Sequence, residues 1–158
     1  MKRIIAVAAL CACVSPAFAV GTLIPSSYQP RGVVHDDSRG LIYFTSEGQV
    51  KRYQPSTGSY LSPLDIAPAQ QGAGGLDLSA DNRYLVVSDD GYNPAGICVH
   101  IISLDTLAQQ LECTPPVATM ESGTRDAVYG ADGTIYTTVS AFNMVEAPLR
   151  RLSPATHQ

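Results

Sequence analysis

Two arginines are placed as if to hold something. Arg31 and Arg125 precede Ile42 and Ile135 at nearly the same offset, so each is expected just ahead of an equivalent strand. There the two guanidinium groups would face a common mouth and hold an anionic ligand. The competing reading is that both tie turns together by donating to backbone carbonyls. Asp89, Asp90 and Asn93, with Gly91 among them, supply oxygen ligands of the kind calcium takes. The D-x-[DN]-x-[DN]-G loop is absent, however, and a solvated, turn-rich insertion accounts for the same residues. His35, His100 and His157 fall into no H-x-x-x-H or H-E-x-x-H spacing, which leaves zinc unsupported. Asp36 and Asp37 are neighbours in a turn, hence point apart, and do not form an acid/base pair by sequence. No G-x-S-x-G elbow occurs. The expectation is no metal, no cofactor and no catalytic motif.

Four cysteines divide by position. The chain opens Met1-Lys2-Arg3, runs apolar from Ile4 to Val14 and reaches Ser15-Pro16-Ala17-Phe18-Ala19. That order of a basic, an apolar and a small-residue segment is the pattern of a signal peptide, with cleavage expected after Ala19. The apolar run is too short for a bilayer span, which takes about 20 residues. Leu10-Cys11-Ala12-Cys13 loosely resembles a lipobox, so lipidation at Cys13 is the rival reading. Cleavage removes Cys11 and Cys13 and leaves Cys98 and Cys113, an even pair in a periplasmic or secreted, oxidising setting. If Asp105-Thr106 is a two-residue hairpin turn, Cys98 and Cys113 are equidistant from it and face each other across neighbouring strands. They are then close enough to bridge. Two buried free thiols are the alternative.

The elements that carry these residues are short strands. Gly74–Leu78, Tyr84–Ser88, Ile97–Ser103 and Leu107–Cys113 are each bounded by Gly, Asp, Asn or Pro, as hairpins require. The same plan precedes them as Gly32–His35, Leu41–Ser46, Gln49–Tyr53 and Tyr60–Ile66, with Glu47-Gly48 among its turns. It follows them as Thr124–Tyr129, Ile135–Ser140 and Ala147–Leu152. The pairs Ile42-Tyr43, Leu85-Val86 and Ile135-Tyr136 hold one place in this plan and lie 43 and 50 residues apart. A period of that size is that of propeller blades, each a four-stranded sheet. The chain is therefore expected to be all-β, with four-stranded antiparallel blades in about three repeats, at residues 31–66, 74–113 and 124–158. These make an incomplete ring within a domain of residues 20–158.

The stretches LSADNRYLVVSDDG and ICVHIISLDTLAQQ resemble the YVTN-type repeat of secreted and periplasmic β-propellers, and GADGTIYTTVS and DDSRGLIYFTS resemble its strand opening. The resemblance implies blade geometry, and the family includes binding proteins, lactone-hydrolysing enzymes and quinoprotein-like subunits. Trp is absent, unlike in the WD40 pattern, and the acidic and Asn metal set of gluconolactonase-like propellers has no match.

The mature chain carries eight basic against fourteen acidic residues, a formal charge of −6, which argues against nucleic acid or an anionic membrane as partner. The expected function is an exported binding or interaction module for a protein or small-molecule ligand. The alternatives are a lactonase-like or quinoprotein-like enzyme and a truncated fragment of a longer propeller. Open blade edges favour self-association, and Tyr43, Tyr53 and Tyr60 are candidates for an aromatic partner surface.

Overall fold

The computed structural model describes residues 23, 24, 26, 29–66, 72–91, 93, 96–115, 121–141 and 149–152. The leader with Cys11 and Cys13, and His157, lie outside them. Among the described residues eleven strands form three antiparallel sheets. The first holds β1 (Val33–Asp36), β2 (Leu41–Ser46), β3 (Gln49–Gln54) and β4 (Ser59–Asp65), in that order. The second holds β5 (Ala73–Leu78), β6 (Tyr84–Asp89), β7 (Ile97–Ser103) and β8 (Gln109–Thr114). The third holds β9 (Glu121–Tyr129), β10 (Ile135–Ala141) and β11 (Leu149–Leu152). Each is a meander whose first strand packs against the first strand of the next sheet, so β1, β5 and β9 line one inner side.

Local chemistry sets the strands. β6 and β7 read YLVVSD and ICVHIIS, runs buried on both faces, as a sheet covered by neighbours on either side requires. β4 and β8 are the outer edges and carry exposed residues. Pro63 sits on that outer edge where the pairing slips, between Leu61 opposite Arg52 and Leu64 opposite Val50, the place at which a residue without an N–H costs least. Glu47 and Gly48 both adopt positive φ, 46° and 75°, and make the tight two-residue turn between β2 and β3.

Two apolar layers join the sheets. Leu41, Tyr43, Val50, Leu64 and Ile66 of the first meet Leu76, Leu85, Val87 and Ile102 of the second. Val86, Val99 and Ile101 of the second meet Ala127, Ile135 and Leu152 of the third. Hydroxyl groups fasten the same joints. Thr45 Oγ1 donates to the Gly74 carbonyl at 2.6 Å, and 43 residues on Ser88 Oγ donates to the Arg125 carbonyl at 3.0 Å. Thr124 Oγ1 accepts from the Asp89 amide at 2.7 Å and donates to the Cys98 carbonyl at 2.8 Å, tying β9 across β6 and β7.

At the end where the first strands finish, Arg39 clamps the first sheet to the second. Its guanidinium reaches Asp36 at 3.0 Å, the Asn82 carbonyl at 2.6 Å and Asp105 at 3.0 Å, and Arg83 also pairs with Asp105 at 3.0 Å. The Asp36 side chain is fully buried and accepts from the Ser38 amide, the Ser38 hydroxyl and the Arg39 amide. Burial alone would raise its pKa. The hydrogen bonds from Ser38 and Arg39 and the Arg39 charge outweigh it and hold the carboxyl below the ordinary value. A depressed folded pKa means that this contribution is whole above the unfolded value of about 3.9 and is lost as pH falls through the folded one. Urea midpoints measured from pH 6 down to pH 2 should therefore fall more steeply for the native chain than for Asp36→Asn, and parallel curves would remove Asp36 from the acid response.

Three expectations change on folding. Leu107 is not the start of a strand; it takes positive φ, 60°, in a four-residue loop closed by Ser103 and Ala108. Lengthening a hairpin loop evenly on both sides leaves its register unchanged, so Cys98 still faces Cys113. Arg125 sits inside β9, within the expected strand Thr124–Tyr129 and not just ahead of a strand, at a bulge where Asp126 pairs with Thr138 and Thr124 with Val139. Tyr43 does not share a surface with Tyr53 and Tyr60. It is 1% exposed in the layer between the first two sheets, because alternation along β2 sends it to the opposite face.

Candidate functional site

The end where the inner strands begin draws residues from all three sheets together. Arg31, just before β1, pairs through Nη1 with Asp90 Oδ2 at 2.5 Å. Asp90 follows β6, and its other oxygen accepts from the Ser140 hydroxyl on β10 at 2.9 Å. Ser140 in turn accepts from Arg125 Nε at 3.3 Å. The Asp90 amide donates to the Gly72 carbonyl at 3.1 Å, which sets Asp90 beside the start of β5. The two arginines thus meet at one mouth through one acid and one hydroxyl. Arg31 is paired with an acid there, whereas the exposed Arg125 meets, among the described residues, a hydroxyl.

Both sequence readings of the arginines concern side chains that the fold places on side-chain partners, not on backbone carbonyls. Ser140 was not singled out by sequence, since an isolated serine in a strand carries no signal. Asp89 and Asp90 diverge. Asp90 turns to the mouth, while Asp89 turns inward, its side chain fully buried 3.7 Å from His100 Nε2 on β7. Both Asp89 carboxylate oxygens and His100 Nε2 have no hydrogen-bond partner among the described residues. Asn93 uses its carbonyl to accept from the Gly96 amide. Among the described residues no group of three or more His, Cys, Asp or Glu side chains is placed to hold a metal ion. His35 pairs with Asp37 at 3.2 Å on the surface, and the Asp37 side chain is 94% exposed while that of Asp36 is buried, so the two acids do point apart.

Cys98 and Cys113 form a disulfide, Cα atoms 4.1 Å apart, between directly paired residues of β7 and β8. The pairing lies at the mouth end of the second sheet, where it staples the outer edge strand to its neighbour. No helix among the described residues is long and apolar enough to cross a membrane.

A second concavity, of ≈ 340 Å³, opens at the opposite end between the second and third sheets, lined by Ser79, Ala80, Asp81, Tyr84, Tyr129 and Gly133 among others. Burial, with Tyr84, Asp81 and Asp77 adding to it, pushes the Tyr129 hydroxyl well above its ordinary pKa. Asp81 is held below the ordinary carboxylate value by hydrogen bonds from the Ser79 hydroxyl and the Arg83 amide. This cleft was not legible in the sequence, because its walls come from turns of two repeats.

Radially packed four-stranded meanders with their first strands innermost are blades, and the chain has the β-propeller fold over three consecutive blades, the third described with three strands. No family model matches the chain, and no curated protein matches it. Among solved structures it is similar to the hydrazine synthase of Kuenenia stuttgartiensis, with a TM-score of 0.66 and 12% identity over 81% of this chain and 35% of that one. It is also similar to the virginiamycin B lyase of Staphylococcus aureus, with a TM-score of 0.57 and 15% identity over 83% of this chain and 43% of the other. A third similar structure, U3-55K, has a TM-score of 0.57 and 12% identity over 81% of this chain and 40% of that one. At these identities the likeness is one of fold, and the chain spans well under half the length of each.

Proposed function

We propose that this chain is an exported β-propeller binding module that takes an anionic group at the mouth built by Arg31, Asp90, Ser140 and Arg125. The observation that carries the reading is the convergence of two arginines from the first and third blades on one point, with Arg125 exposed and facing a hydroxyl. A carboxylate or phosphate arriving there accepts charge-assisted hydrogen bonds from Arg125 and competes with Asp90 for Arg31. The Cys98–Cys113 bridge supports an oxidising compartment, in keeping with cleavage after Ala19 and delivery to the periplasm or the exterior. The resemblance to YVTN-type repeats is in keeping with that reading.

Calorimetric titration with inorganic phosphate and with citrate tests this. Binding to the native chain should weaken by about tenfold or more in Arg125→Ala, the loss of one charge-assisted contact. Absence of binding to the native chain, or equal binding by the variant, would sink the reading.

A further inference from the structure

The joint between blades is made twice inside this chain, and among the described residues both halves of a third joint are uncovered, on the first and the third blade. In the equivalent pairs Ile42-Tyr43, Leu85-Val86 and Ile135-Tyr136, the second residue faces the following blade and the first faces the preceding one. Tyr43 and Leu85 share one apolar layer, and Val86 and Ile135 share the other. Tyr136 is left facing forward from the third blade, and Ile42 backward from the first, both half-buried. The hydroxyl fastener repeats in the same way. Thr45 and Ser88 each donate to the inner strand of the following blade, and 50 residues after Ser88 stands Thr138, exposed on the forward face of β10. The carbonyls they reach, at Gly74 and Arg125, correspond to Arg31 on the first blade, 43 residues before Gly74. The spacing from Gly74 to Arg125 is one longer than from Ser88 to Thr138 because the turn from β9 to β10, between paired Tyr129 and Ile135, is one residue shorter than that from β5 to β6, between paired Leu78 and Leu85.

Apolar residues flank both open halves. Val128 lies beside Tyr136 across the pairing and is 46% exposed; Leu149 lies beside Thr138 and is 66% exposed. On the first blade Ile42 lies in a row with His35, Tyr53 and Tyr60, and Tyr60 packs at 6.0 Å on Phe44 and 5.2 Å on Tyr53. A blade face of this kind is buried by a neighbouring blade, and left open it is an association surface.

We propose that the occupant is a second copy of this chain, joined head to tail: the forward face of the third blade of each copy seats on the backward face of the first blade of the other. The contact continues the interface already present twice within the chain, with Tyr136 meeting Ile42 and Thr138 reaching the Arg31 carbonyl. Two such joints close under one two-fold axis and give six blades, inside the range of about four to eight in which rings close. This goes beyond the binding reading and does not depend on it, since it uses the blade faces and not the guanidinium groups of the mouth.

Sedimentation equilibrium of the oxidised full chain at micromolar concentration tests it. The expected result is a particle of two chains. Thr138→Arg, at an exposed position where the fold tolerates the change, should raise the dissociation constant at least about tenfold while leaving the far-ultraviolet circular dichroism unaltered. Ile42→Glu, on the opposite face, should do the same. A native particle of one chain overturns the proposal, as does a mass that keeps rising with concentration. Dissociation by only one of the two variants also overturns it, because a joint between like faces would feel only one.

Discussion

Gly74→Ala should destabilise the chain by about 3 kcal/mol. A Cβ built on Gly74 meets Ser88 Oγ at 2.3 Å and the Arg125 carbonyl oxygen at 2.5 Å. The hydroxyl can rotate away, at the cost of its hydrogen bond to that same carbonyl. The carbonyl cannot, because it belongs to β9 at the point where the third blade packs on the second. The inner strands must separate, and the apolar layer of Val86, Val99, Ala127 and Ile135 opens with them. Gly75→Ala is the informative comparison. The atom nearest its Cβ, at 1.7 Å, is the far end of the Asp126 side chain, which can move, and the Asp126 Cα lies at 3.1 Å. Gly74→Ala should therefore cost more than Gly75→Ala in urea unfolding. Adding Ser88→Ala to Gly74→Ala should recover only part of the loss, because the backbone contact remains. An equal cost at both glycines would mean that the inner strands are not the rigid part of the joint.

Removing the Cys98–Cys113 bridge, by reduction or as the Cys98→Ala, Cys113→Ala pair, should cost about 3 kcal/mol. That is the chain-entropy value for a loop of this size, and the two cysteines are 15 residues apart. For a chain of this length the melting temperature should fall by roughly 10 °C. The bridge joins two strands already paired in register, so its effect lies in the unfolded chain and at the edge strand β8, whose first residues are exposed. Hydrogen exchange should accelerate first in β8, since a sheet opens from its edge. A change in melting temperature of a degree or two would show that the hairpin loop is closed in the unfolded ensemble without the disulfide. Ellman titration in denaturant, expected to find no free thiol at Cys98 or Cys113, establishes the starting state.

These effects bear on how the mouth is held. Gly74 brings β9 against β5, and the Ser88 hydroxyl caught between them lies one residue before Asp89 and two before Asp90, the acid that joins Arg31 to Ser140 and Arg125. Loosening the inner strands should loosen the mouth, whereas loosening β8 acts mainly on the far side of the second blade. Phosphate binding should therefore suffer more from the glycine substitution than from loss of the disulfide.

The strands, their order and the pairing of Cys98 with Cys113 were legible in the sequence because hairpins are local. A turn such as Glu47-Gly48 sets its own register, and alternating or continuous apolar runs bounded by Gly and Asp mark the strands around it. Even the misjudged loop at Leu107 did no damage to that pairing, since it lengthened both arms alike. The repeat of Ile42-Tyr43 at Leu85-Val86 and Ile135-Tyr136 was likewise visible, and with it the period of a blade.

What only the tertiary structure decided was facing and convergence. Tyr43 is core and Tyr53 and Tyr60 are surface because the packing of one sheet on the next selects a face, and no stretch of β2 read alone records that choice. Arg125 meets Ser140 because a bulge in β9, invisible in the residue types, turns its side chain at that point. Arg31, Asp90, Ser140 and Arg125 are dispersed over more than a hundred residues and meet only because three inner strands begin at one end. The sequence by itself determined a chain of blades and the register of one staple. The stacking of those blades made four scattered polar residues into one mouth, since hydrogen bonds within a hairpin are specified by neighbours in the chain and those across blades by shape.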